Sequence, residues 1–246
     1  MKNVKPYVVI TYIDRINEIS DIFFKYYLSQ FNTDEFYFLV LDSNKDEILN
    51  YLTILGFNEH QYELVTNNFI GKPTLIDKQN KIVSYFIEQS KTVIYVDIDE
   101  ILYHNNIKEY FSKIYFDYLS PMGVVLIPKK NEDIINFNEN VLGQINYCVI
   151  DNEYHSKVCV LNKPYIWNGG RHNKNNVKIS EDIFLIDFSK CSSDVILKNN
   201  IKSTEIYQSS TERYSEVTLE WVYDYLNKWR KKITTIPKYI LDKNLF

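Results

Sequence analysis

"TVIYVDIDEILY", Thr92 to Tyr103, opens as a buried strand and closes on a concentration of charge. Val93, Ile94, Tyr95 and Val96 are apolar or β-branched, the composition of a strand covered on both faces. Asp97, Asp99 and Glu100 then place three acids within four positions. Carboxylates crowded at the end of an apolar strand repel one another and lose hydration. Such an arrangement persists where an opposite charge compensates it.

Upstream of this stretch, strand and helix alternate. Tyr7–Ile13 ("YVVITYI") is a buried strand, and Arg15–Phe31 carries Ile16, Ile19, Ile22, Phe23, Tyr26 and Tyr27 at helical spacing. Glu35–Asp42 is a second strand, and Asp46–Phe57 a helix closing near Gly56. Tyr62–Thr66 is a short third strand, Thr74–Gln89 a third helix, and "TVIYVD" the fourth strand. The alternation predicts an α/β fold: a mostly parallel sheet with helices on both faces. Ligands of such sheets bind beyond the carboxyl ends of the strands. Asp14, Asp42 and the acids at 97 to 100 all fall at such ends.

Downstream the alternation weakens. Asn106–Tyr115 reads as a helix, Gly123–Lys130 and Lys157–Asn162 as strands, and "WNGGRHNKNN" as a polar loop. A last helix is expected from Glu216. Residues 1–215 are expected to form one domain and 216–246 a C-terminal helical extension.

Composition bounds the function. The chain has 246 residues, 45% of them hydrophobic and 24% charged, enough for a sizeable core. A net charge of -4 gives no electrostatic case for nucleic acid. Cys148, Cys159 and Cys191 are odd in number without CxxC spacing, so reduced thiols and a cytoplasmic location are expected. The N-terminal apolar run is short for a signal peptide, and no run approaches the roughly 20 apolar residues of a membrane span.

On an extended strand, the Asp97 and Asp99 spacing puts both carboxylates on one side. That pair suits a hard divalent cation, Mn²⁺ or Mg²⁺, which also takes phosphate oxygens. The alternative is that the acids end a strand, face water, and cap the next helix.

The order of motifs resembles the GT-A nucleotide-sugar glycosyltransferases, especially their family-2-like and family-92-like groups. "DIDE" matches their D-x-D-E, "RINE" their R-x-N-E, and "VLDSNKDE" their D-x-x-S-x-D, with Lys45 in the place of the serine. "DKQNKIVSYF" resembles the helix before the acidic strand, and "SKVCVLNKPYIWNGGRH" their S-K-x-x-x-x-P strand with a loop histidine. The resemblance spans roughly residues 7 to 190. It implies a GT-A (Rossmann-like) sheet, an Mn²⁺ or Mg²⁺ cofactor, and a UDP-sugar or related donor. The acceptor it implies is a glycan or a lipid-linked molecule.

Roles follow at matching positions. Asp42 meets the nucleoside, Asp97 ribose or metal, and Asp99 the metal directly. His172 is a further metal ligand or a diphosphate contact, or else an exposed loop histidine. Lys157 and Arg15 bind diphosphate, or flank a strand and pair within a helix, and Thr11 and Lys78 complete the donor contacts. Inverting transfer needs a carboxylate base. Asp182 in "ISEDIFL" and Glu100 are the candidates, and the rival reading of Asp182 is a helix N-terminus capped by Ser180. The family-92-like pattern carries a late H-Y pair, where this chain has Asp187. Either Asp187 acts as an oxygen ligand, or the third metal ligand lies elsewhere.

The C-terminal stretch mixes Lys228, Arg230, Lys231 and Lys232 with Trp229 and Ile233, a pattern for contact with an anionic membrane or for packing on the domain. Other functions share features with this chain. A nucleotidyltransferase has the same strand-and-helix start, but its phosphate loop is glycine-rich and "TYIDRINE" has no glycine. An aspartyl-nucleophile phosphohydrolase carries D-x-D near its first strand rather than its fourth. A binding protein on the same scaffold would keep the fold without turnover.

Overall fold

The computed structural model describes residues 6–66, 73–128, 135–139, 141–145, 147–151, 155–167, 177–192, 195–196, 226, 228–229, 231–232 and 234–235. Its strands are β1 (Tyr7–Ile13), β2 (Phe36–Leu41), β3 (Tyr62–Val65), β4 (Thr92–Tyr95), β5 (Glu100–Tyr103), β6 (Tyr118–Leu126), β7 (Tyr147–Ile150), β8 (Val160–Leu161), β9 (Ile179–Asp187) and β10 (Thr234–Thr235). Its helices are α1 (Glu18–Gln30), α2 (Lys45–Ile54), α3 (Pro73–Glu88), α4 (Ile107–Lys113) and α5 (Val141–Gln144).

The strands join in one sheet with the order β10-β7-β6-β8-β4-β1-β2-β3, and β9 pairs with both β5 and β6. The pairs β3–β2, β2–β1 and β1–β4 are parallel, as the alternation of strands and helices required. Beyond β4 the sheet is mixed: β8 runs antiparallel to β4 and β6, while β9 is parallel to β6 and antiparallel to β5. The α/β fold class therefore holds, with a parallel block built by the first hundred residues and a mixed block added to it.

Each face of the parallel block has its own core. On one face Val9, Ile13, Phe38 and Val40 meet Ile22, Phe23, Phe24 and Tyr27 of α1. On the other, Val8, Ile10, Val93 and Tyr95 meet Val83, Phe86 and Ile87 of α3. Helix α1 starts where it does because Asn17 caps it, accepting from the backbone N–H of Ile19 at 3.0 Å and Ser20 at 3.1 Å. Its Tyr26 and Tyr27 are fully buried and use their hydroxyls on β5: Tyr26 donates to the Leu102 carbonyl at 2.8 Å, and Tyr27 accepts from the Leu102 N–H at 2.7 Å. Helix α1 thereby fixes the strand that follows the acids.

Three expectations change. Strand β4 ends at Tyr95, and Asp97–Glu100 is a turn closed by the Glu100 N–H on the Asp97 carbonyl at 3.0 Å. The strand rule that put Asp97 and Asp99 on one side does not apply in a turn. "ISEDIFL" is the start of β9 and not a helix N-terminus, so Ser180 caps nothing. The Gly123–Lys130 strand begins earlier, at Tyr118. Most of the expected last helix lies outside the described residues; of its described residues, Leu226, Lys228 and Trp229 are helical.

Candidate functional site

Parallel registry lines up the ends of β2, β1 and β4. Ile13 pairs with Val40, and Ile10 with Tyr95, so the next residues of each strand, around Asp42, Asp14 and Asp97, stand along one edge. The Asn44 side chain ties two of these ends together, donating to the Asp14 carbonyl at 2.6 Å. Arg15 lies 3.5 Å from the Asp14 carboxylate, and Lys45 pairs with Asp42 at 3.1 Å.

Lys157 enters this edge from the segment before β8, which runs antiparallel to β4 and is fixed by the Tyr95 N–H on the Cys159 carbonyl at 2.7 Å. Its ammonium bridges Asp97 Oδ2 at 2.6 Å and Glu100 Oε1 at 2.5 Å. The other Glu100 oxygen accepts from the Asp97 N–H at 2.9 Å. Burial lowers Lys157, but Glu100 and the carboxylates behind it outweigh that, so the ammonium is held charged. Burial pushes the Glu100 carboxyl up to about 7 against the pull of Lys157. This lysine is part of the opposite charge that the crowded acids require.

Asp99 turns elsewhere. Its carbonyl accepts from the Phe188 N–H at 2.9 Å, and Glu100 is opposite Asp187 in the β5–β9 register. That places Asp99 beside Asp187. The half-buried Asp99 carboxyl forms no side-chain ion pair among the described residues; its own backbone N–H and the more distant Lys157 and Lys190 favour its charge, but burial together with the Asp187 carboxylate outweighs them and pushes it up to about 6.

Asp187 is held in the opposite condition. Its Oδ1 accepts from the Ser189 N–H at 2.7 Å, and its Oδ2 lies 3.1 Å from His155 Nε2 and 3.8 Å from Lys190. Burial alone would raise it, but Lys190 and His155 outweigh burial and hold it well below the usual carboxylate range. The second ring nitrogen of His155 faces Asp151 Oδ2 at 3.0 Å. Gly123 seats this turn: a Cβ there would lie 2.5 Å from the Asp151 carbonyl oxygen and the His155 backbone. The Gly123 N–H also donates to Ser156 Oγ at 2.8 Å. Trp229 stands edge-on to His155 at 5.5 Å, with Lys190 5.0 Å from its ring centre. Leu226 is buried with Val125, Ile127, Val149 and Ile196, while Lys228, Lys231 and Lys232 are exposed. Among the described residues, no helix is long and apolar enough to cross a membrane.

Asp97, Asp99, Glu100 and Lys157 thus converge, and Asp187 joins them. Asp42 and Arg15 lie along the same edge. Thr11 is fully buried in β1, and its hydroxyl makes no hydrogen bond among the described residues. Lys78 is tied at β3 to Glu63 at 2.7 Å and to the Leu64 carbonyl at 2.6 Å. Asp182 is exposed on β9, five residues or roughly 17 Å along the strand from Asp187. His172 lies outside the described residues. Sequence reasoning missed His155, Asp151 and Lys190. The i, i+4 spacing of Asp151 and His155 was visible, but their partner Asp187 is distant in sequence.

The donor set suits a hard cation: an unpaired carboxyl beside an ionised one, both oxygen donors. Among the described residues no three Asp, Glu, His or Cys side chains form a ready-made cage. A cation at Asp99 would complete its shell with oxygens of water or ligand, as Mg²⁺ commonly does.

No protein-family model matches the chain, and no curated protein does. Among solved structures, HddC from Yersinia pseudotuberculosis aligns over 80% of this chain and 99% of its own, at 13% identity and a TM-score of 0.39. The same protein complexed with GMP-PN aligns over 82% and 99%, at 13% identity and 0.37. A Bacillus anthracis protein named as a glucose-1-phosphate thymidylyltransferase, in complex with a sucrose, aligns over 90% of this chain and 83% of its own, at 10% identity and 0.32. The chain is similar to these proteins only in the loose layout of strands and helices.

Proposed function

We propose that the chain is a metal-dependent glycosyltransferase of the GT-A kind. It moves a sugar from a nucleotide-diphosphate sugar, a UDP-sugar first among them, to a glycan or lipid-linked acceptor. The observation that carries this reading is the Asp99 carboxylate: half-buried, without an ion pair among the described residues, beside the ionised Asp187, at the carboxyl edge of a parallel sheet. Asp99 and Asp187 are the residues that would hold Mn²⁺ or Mg²⁺, with Asp97 next to them on Lys157. When bound, such a cation supplies positive charge for a diphosphate leaving group.

The remaining roles belong to the chain itself. Lys157 adds a fixed positive charge at the same edge, where a diphosphate would lie. Asp42, at the end of β2, contacts the nucleoside, and Arg15 the phosphates. The acceptor hydroxyl gives its proton to Asp182 or Glu100 in an inverting transfer. Asp182 is open to solvent, whereas Glu100 is buried against Lys157.

A nucleotidyltransferase is the second reading, and the start of α1 counts against it. Phosphate cradles use free N–H groups of a glycine-rich turn and helix N-terminus. Here the Ile19 and Ser20 N–H groups are already taken by Asn17. The test is a calorimetric panel of sugar nucleotides with Mn²⁺ and with EDTA. Binding of a nucleotide-diphosphate sugar that needs Mn²⁺, and weakens in Asp42→Ala, is the expected result. Equal binding in EDTA, or by Asp42→Ala, would remove this assignment of the edge.

A further inference from the structure

The Asp99–Asp187 pair raises a physical difficulty of its own. Two carboxylates side by side would swing apart unless something holds them, and among the described residues Asp99 has no side-chain ion pair to do so. The restraint falls on Asp187: the Ser189 N–H holds Oδ1 at 2.7 Å, and His155 and Lys190 face Oδ2. His155 stands between Asp151 Oδ2 at 3.0 Å and Asp187 Oδ2 at 3.1 Å, one ring nitrogen to each. Each ring nitrogen thus faces one carboxylate oxygen at hydrogen-bond distance. The ring is only 15% exposed and is itself held from two sides: by the turn packed on Gly123 and by Trp229 at 5.5 Å. This is more restraint than a surface histidine has. It also leaves lone pairs of Asp187 unused, since a carboxylate offers about four acceptor sites.

We propose that His155 is a positioning residue: it clamps the Asp187 carboxylate beside Asp99 so that the two act together as the oxygen donors of one divalent cation. The inference rests on the reading of Asp99 as a cation ligand. Partners one step behind a metal ligand fix its orientation and basicity, and their loss commonly weakens metal binding 10- to 100-fold. The Asp151–His155–Asp187 chain has that form, with Asp151 fixing the ring as the ring fixes Asp187. Sequence motifs do not reveal it, because His155 stands before Lys157 in a stretch whose recognisable residues are "SK".

The test is Mn²⁺ titration of the full chain, followed by electron paramagnetic resonance of the free ion, with no donor or acceptor present. Wild type is expected to bind saturably, and Asp99→Asn to lose that binding. His155→Leu is expected to weaken it 10- to 100-fold. His155→Gln, which can still donate one hydrogen bond to Asp187, should recover part of the loss. It also serves where the leucine variant fails to fold, as judged by circular dichroism. The chain has four histidines, so ring NMR gives a second readout: substoichiometric Mn²⁺ should broaden the His155 ring in wild type but not in Asp99→Asn. If folded His155→Leu and His155→Gln both bind Mn²⁺ within twofold of wild type, the positioning role is overturned while the cation site stands. If wild type shows no saturable binding, or Asp99→Asn binds as well as wild type, the cation reading fails and the inference falls with it.

Discussion

Lys157 and Asp99 divide the charge problem of "DIDE" between them. Lys157 and Glu100 form a buried pair, and removing one member of such a pair leaves an uncompensated charge. Lys157→Met is therefore expected to cost about 3–5 kcal/mol of stability, measurable by urea unfolding. Asp99→Asn removes a carboxylate that burial and Asp187 disfavour and that has no ion pair among the described residues, so the fold should keep or gain stability while cation binding is lost. Asp182→Asn separates the base candidates. If Asp182 takes the acceptor proton, turnover should fall by about 10²- to 10⁴-fold with donor affinity unchanged. Normal turnover in that variant would leave Glu100 or Asp187. The individual acids were legible in the sequence because charge at the end of an apolar strand is conspicuous. Their partners were not. Asp97 belongs to Lys157, sixty positions away, and the turn at 97–100 directs Asp99 to β9 by contacts that no local spacing encodes.

At the scale of elements, β5 is the strand that orders the site, and α1 holds it. Tyr27→Phe would leave the buried Leu102 N–H without its acceptor, a loss of about 1–3 kcal/mol seen in thermal or urea unfolding. Wild-type stability in Tyr27→Phe would show that β5 is held otherwise. Gly123→Ala tests the other support. Its methyl would meet backbone atoms of Asp151 and His155 at 2.5 Å, so the turn must shift and the His155 clamp with it. Strands β1 to β4 and helices α1 to α3 were legible because each buries one regular face or stripe, and the apolar period records it. Strand β9 was not: it begins with the polar "ISED", whose acids face solvent, and turns apolar only from Ile183. Strand β5 was hidden because "EILY" reads as the tail of the acidic motif.

Across the whole molecule, these buried carboxyls couple the site to pH. Asp99 and Glu100 are raised in the folded state, to about 6 and about 7, so the stability they contribute is complete below their ordinary values and is lost as pH rises through 6 to 7. Asp187 is lowered, so its contribution is present at neutral pH and is lost only in acid. Without metal, stability should therefore decline between about pH 4 and 7, less steeply in Asp99→Asn, as urea unfolding across that range would record. A wild-type profile that rises over the same range would mean that Asp99 is not desolvated beside Asp187. The parallel block of the fold and the edge that bears the site could be read from the sequence. Of the mixed block, β6 and β8 could be read in part, from the runs at Gly123–Lys130 and Lys157–Asn162, whereas β10 is two residues long and is defined by its neighbour alone.

The central claim is that a sugar leaves a nucleoside diphosphate at the Asp99 edge. Phosphorus NMR of the products tests it most directly. The chain is incubated with Mn²⁺, a panel of sugar nucleotides and candidate glycan acceptors, and in parallel with nucleoside triphosphates and sugar phosphates. The expected result is release of nucleoside diphosphate from a sugar nucleotide, abolished in Asp99→Asn and by EDTA. Pyrophosphate released from a nucleoside triphosphate, with no diphosphate from any sugar nucleotide, would contradict it.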